Sequence, residues 1–191
     1  MNWAWAHPLG PDGWSAYTAV QIGQTEPEVV VVLEVPMQEA LERFQAFSGD
    51  RMDAKAEIGF RASMWSQLSQ GLAVRLNGKP VVGSWEPVWT PVNGHLAEGF
   101  FVYLVRFKPE RSWALPDRWM LEVDNQAFLE ASTWLSAWVD VQPPWGKVRH
   151  SASQVLKRLD PEPSSSADVW SQDARLRTLV IEAQRADKLS P

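Results

Sequence analysis

The chain has 191 residues and a net charge of −5, with acids and bases interspersed. That is enough for one domain with a real core, and it argues against the basic stripe of a nucleic-acid binder or a cationic membrane-surface helix. No apolar run approaches the roughly 20 residues of a spanning helix. The absence of cysteine removes disulfides, thiolate metal ligands and thiol nucleophiles.

At the start, Ala4-Trp5-Ala6 has the small-x-small form of a signal-peptidase site, although no charged or long apolar segment precedes it. Two readings stay open: a leader trimmed away with Met1 in its place, or a chance match. Trp14–Gln24 then alternates as a half-buried strand, and Glu28–Val35 returns as a more buried one, predicting an antiparallel hairpin that Pro36 stops.

A helical insertion is expected over about 37–71. Met37, Ala40, Leu41, Phe44 and Phe47 have helical spacing, and Ser48-Gly49-Asp50 breaks it. A second helix carries Ile58, Ala62, Trp65, Leu68 and Leu72 on one stripe, with Asp50 or Asp53 as N-cap and Gly71 as its stop.

Leu72–Leu76 reads as a short strand, and Asn77-Gly78 is the strongest hairpin-turn signal. Val81–Val92 contains Pro87 and Pro91, which push it to a sheet edge. Glu98–Pro109 is apolar on both faces until Arg106, the pattern of a strand covered on both sides, and is expected at the centre of a sheet. Trp119–Asp124 and Thr133–Val141 alternate as further strands. Pro143-Pro144-Trp145-Gly146 ends the second of these, and Ser151–Leu159 reads as a short helix or a loop. The segment 160–168 is linker-like in its Pro and Ser content, and a last strand over about 175–183 pairs back onto the sheet. The whole predicts a single, mainly β domain over 1–191: an antiparallel β-sandwich, jelly-roll or immunoglobulin-like, with an inserted helical hairpin.

Chemistry-bearing residues are few. Gly83-Ser84-Trp85 does not complete a nucleophile elbow, and no phosphate-binding glycine loop or paired His-x-x-x-His occurs, so no enzyme is predicted. Arg51 and Met52 interrupt the acids Asp50, Asp53 and Glu57, so helix capping accounts for them better than a calcium loop does. Imidazole suits copper, nickel or zinc near neutral pH, which makes His7, His95 and His150 the candidate ligands. Cleavage after Ala6 would make His7 the N-terminus, where its amine and imidazole chelate one ion. His95, in a turn, or His150, in a loop, would complete a nitrogen set suited to copper. The blander alternative is three ordinary histidines.

Tryptophan is the compositional outlier, with twelve copies. Trp85 and Trp89, and Trp134 and Trp138, are each four apart and so share a strand face. Such a face serves to clasp a partner protein, to stack on a sugar, or simply to pack.

The order His7-Pro8-Leu9-Gly10, an early strand hairpin, Val35-Pro36 leading into a helix with Phe44, Gly71-Leu72 closing a second helix, and then Leu72–Pro80 (LAVRLNGKP) resembles the exported N-terminal domain of bacterial nickel/cobalt permeases and hydrogenase- or urease-accessory (HupE/UreJ-like) membrane proteins. The resemblance covers the first half, to Pro109. Asp50–Glu57 departs from the Asp-rich loop found in some of those proteins. The resemblance implies a periplasmic or extracytoplasmic, membrane-associated domain, a link to metal handling, and a membrane transporter or membrane-complex subunit as partner. The expectation is therefore an exported, non-enzymatic domain binding a transition metal or a membrane-protein partner. A structural subunit docking through a Trp-rich edge and a carbohydrate-binding module are the alternatives.

Overall fold

A computed structural model describes residues 14–23, 25–49, 51, 53–88, 100–113, 115–128, 133–141, 144–151 and 177–186. At residues 15, 17, 100 and 133–141 the backbone alone is described. The first sheet contains β1 (Trp14–Ile22), β2 (Pro27–Pro36), β5 (Gly83–Pro87), β6 (Phe100–Pro109) and β8 (Thr133–Val141), in the order β5-β6-β2-β1-β8. The second contains β3 (Leu72–Leu76), β4 (Lys79–Pro80), β7 (Arg118–Asn125), β9 (Trp145–His150) and β10 (Thr178–Arg185), in the order β4-β3-β7-β10-β9. Among the described residues pairing is antiparallel except between β1 and β8, which run parallel from Trp14↔Thr133 to Ile22↔Val141.

The early hairpin forms as expected, with Ile22 opposite Pro27. The first sheet has β2 at its middle and β6 one place in from β5, which corrects the expectation for Glu98–Pro109. Both strands are apolar on both faces, so alternation alone could not rank them. Among the described residues β5 is an edge, as its prolines required.

The inner face of the first sheet is covered by two different structures. At one end Val20, Ile22, Val29 and Phe107 pack against Trp119, Leu121, Val123, Leu179 and Ile181 of the second sheet. At the other, Trp14, Ala16, Leu33, Val35 and Tyr103 pack against two helices, α1 (Met37–Ser48) and α2 (Ala54–Gln70). The fold is thus a β-sandwich whose helical insertion completes the cover of one sheet.

Local chemistry sets the helix ends. Asp53 caps α2, its Oδ1 accepting from the Ala56 N–H at 2.8 Å, which resolves the choice between Asp50 and Asp53. Trp14 anchors α1 to β1: its indole N–H donates to the Glu39 carboxylate, and the Arg43 guanidinium lies 4.3 Å from its ring centroid. Gly71 ends α2 at a point where a Cβ would stand 2.4 Å from the Ala127 backbone. A glycine is therefore required here for close approach rather than for an unusual dihedral.

The buried stripe of α2 is Phe60, Met64 and Leu68, not the predicted line through Ile58 and Ala62. Ile58 is 64% exposed. The helix carries apolar residues on most of its sides, so its periodicity is weak. The aromatic rings of α1 decide the matter: Phe44 and Phe47 both pack against Phe60, at 5.5 and 5.7 Å between centroids.

Candidate functional site

The second sheet sends alternate residues to opposite faces. Along β7, Trp119, Leu121, Val123 and Asn125 are buried between the layers, leaving Arg118, Met120, Glu122 and Asp124 on the outer face. Register across the three adjacent strands lines up Met120, Glu182 and Arg149 in one row, and Arg118, Gln184 and Lys147 in the next. A cleft of about 490 Å³ lies over these rows and is lined in addition by Asn77.

Asn77 is held there by its turn. It adopts φ 52°, the left-handed conformation that an Asn-Gly hairpin uses. Its backbone N–H donates to the Met120 carbonyl at 2.7 Å, and its Oδ1 accepts from the Met120 N–H at 2.8 Å. These two bonds continue the β3–β7 ladder by one residue and pin the turn to the cleft wall. On the cleft floor, the Arg118 Nη2 donates to the Gln184 Oε1 at 3.0 Å.

The electrostatics run against the sign of the whole chain. Among the described residues, Arg118, Lys147 and Arg149 line the cleft with Glu182 as the one carboxylate. Several other cations on the sheets are matched with acids: Arg75 with Glu122 at 3.6 Å, Arg106 with Glu28 at 2.8 Å, and Lys108 with Glu86 at 3.0 Å. Lys147 and Arg149 make no ion pair among the described residues, although Arg149 and Glu182 are cross-strand partners in register. The arrangement is equipment for binding: a guanidinium fork, an ammonium and carboxamides on a rigid sheet.

His150 is the last residue of β9 rather than a loop residue, which corrects that expectation. The strand was hidden because Pro143-Pro144 precedes it and Gly146, Lys147 and Arg149 dilute its apolar character. Burial holds the His150 imidazole below its ordinary pKa. Among the described residues, no group of three or more histidines, cysteines and acids is placed to hold a metal. His7 and His95 lie outside the described residues, as do Trp89 and the linker-like 160–168. Trp134 and Trp138 lie on β8, where only the backbone is described. Trp85 is half-buried on β5 and packs on Phe107 at 5.1 Å between centroids, touching both parts of the core. No helix among the described residues is long and apolar enough to cross a membrane.

No protein-family model matches this chain, and no curated protein matches it at a significant level. The cleft residues escaped the sequence reading. Their signal was the period-two pair Lys147 and Arg149, whose meaning depends on recognising β9 as a strand.

Proposed function

We propose that this chain is a non-catalytic binding domain that docks a partner protein through the outer face of its second sheet. The observation that carries this reading is the cleft over β7, β10 and β9, where Arg118, Lys147 and Arg149 face a single carboxylate among the described residues, Glu182, and Lys147 and Arg149 make no ion pair among those residues. Strand pairing fixes the backbone positions of these groups, so no segment has to be ordered to assemble them. The resemblance of His7–Pro109 to exported domains of metal-permease proteins adds a location to the same proposal: outside the cytoplasm, beside a membrane-protein subunit.

The test is a photo-crosslinking amino acid placed at Met120 on the cleft floor and, separately, at exposed Val82 away from it, in cells of the source organism. A defined segment of one protein crosslinked from position 120 and not from position 82 supports the reading. Equal capture from both positions, or none from either, overturns it.

A further inference from the structure

From the layout of charge in the cleft, we infer that the segment it takes is extended and acidic, with carboxylates at alternate positions. This rests on the partner-docking reading and names the chemistry of the partner.

Lys147 and Arg149 are two residues apart on one strand, so their Cα atoms are about 7 Å apart. Arg118 sits two strands away, about 10 Å across the sheet by the usual strand spacing. A single phosphate or sulfate would have to draw three long side chains onto one point within hydrogen-bond reach, whereas separate carboxylates meet each cation above its own strand position. An extended peptide has the matching period: residues i and i+2 lie on one face about 7 Å apart, which sets two carboxylates against Lys147 and Arg149. The Arg149 fork suits a carboxylate in bidentate geometry. Arg118, already oriented by Gln184, faces the same space from the far side.

Other polyanions fit less well. Sugar and nucleic-acid sites present aromatic faces for stacking. Among the described residues, the one aromatic lining this cleft is Trp119, whose ring is turned into the core against Trp145 at 5.5 Å. The chain's overall acidity would also repel a long polyanion beyond the reach of these three cations.

The experiment measures fluorescence anisotropy of a labelled peptide of alternating glutamate and alanine. A peptide of the same composition with its glutamates in adjacent pairs (repeated Glu-Glu-Ala-Ala), which places no two of them at i and i+2, and a heparin fragment, serve as comparisons. The alternating peptide should bind more tightly than the paired one, and binding should weaken as salt rises. The double variant Lys147→Glu, Arg149→Glu should weaken it by about tenfold or more, with an unchanged circular dichroism spectrum. Glu182→Gln, which removes the opposing carboxylate, should tighten it. Equal binding of both peptides, preference for heparin, or indifference to these variants overturns the inference. If position 120 crosslinks a neutral or basic segment, the acidic assignment fails while the docking reading stands. If no crosslink forms there at all, the docking reading falls first.

Discussion

The indole N–H of Trp145 donates to the carbonyl of Gly23 at 2.9 Å, joining residues 122 positions apart. The bond runs from β9 of the second sheet to the turn between β1 and β2 of the first. The same ring meets Trp119 edge-on and lies beneath the Arg185 guanidinium. Trp145 is thus a pin between the layers as well as a core residue, and it holds the strand that carries Lys147 and Arg149. Trp145→Phe keeps most of the apolar burial and loses the bond, at about 1 kcal/mol. Trp145→Ala also opens a cavity and should cost about 3–5 kcal/mol. Urea unfolding of the two variants checks the difference.

Two glycines separate contact from conformation. At Gly71 an added methyl group meets the Ala127 backbone, which cannot move aside without breaking the Gln126 N–H to Gly71 carbonyl bond at 2.7 Å. Gly71→Ala should therefore lose about 1–3 kcal/mol. At Gly59, inside α2, the methyl group meets the Phe47 ring at an ordinary 3.6 Å. Gly59→Ala should gain about 0.5–1 kcal/mol from helix propensity. Melting temperatures moving in opposite directions are the expected outcome.

Tyr103 makes the fold sensitive to alkali. Burial pushes its pKa up to about 12, with the Arg61 cation opposing and the Glu57 carboxylate adding to the rise. Unfolded tyrosine ionises near pH 10. Below that pH both states hold the proton and the full stability is present. As pH rises from 10 through about 12, the unfolded chain ionises first, so stability falls. The urea midpoint should drop over this window, and Tyr103→Phe should flatten that part of the profile.

His150 acts at the other end of the scale. Its pKa is lowered by burial, so the folded state takes up a proton less readily than the unfolded chain does. Stability from this group is present above the ordinary histidine value of 6.5 and is lost as pH falls through the lowered folded value. His150→Gln should reduce the acid sensitivity in that range, read as the change in urea midpoint between pH 7 and pH 5. The imidazole C2 proton in NMR should report the lowered titration directly.

Some elements could be read without the structure because their causes are local. Asn77-Gly78 has the chemistry its turn demands, Asp53 precedes a helix and caps it, and Trp119, Leu121 and Val123 point inward with Glu122 and Asp124 between and after them pointing out. Where residues are apolar on several sides the causes are not local. Alternation alone therefore puts β6 at the centre in place of β2, and helical spacing alone turns Ile58 to the core in place of Phe60. The strand at Trp145–His150 failed for the opposite reason, since its inward residues are too few to form a pattern. Its existence rests on pairing with β10.

Composition and alternation by themselves determined a mainly β chain with a helical insertion, since side-chain period and turn chemistry act over a few residues. Tertiary structure alone decided that β1 and β8 run parallel, that the helices and the second sheet divide one face of the first, and that Arg118, Lys147 and Arg149 meet over one cleft. Strand pairing between distant segments, which nothing within a single segment encodes, brings those three charges together.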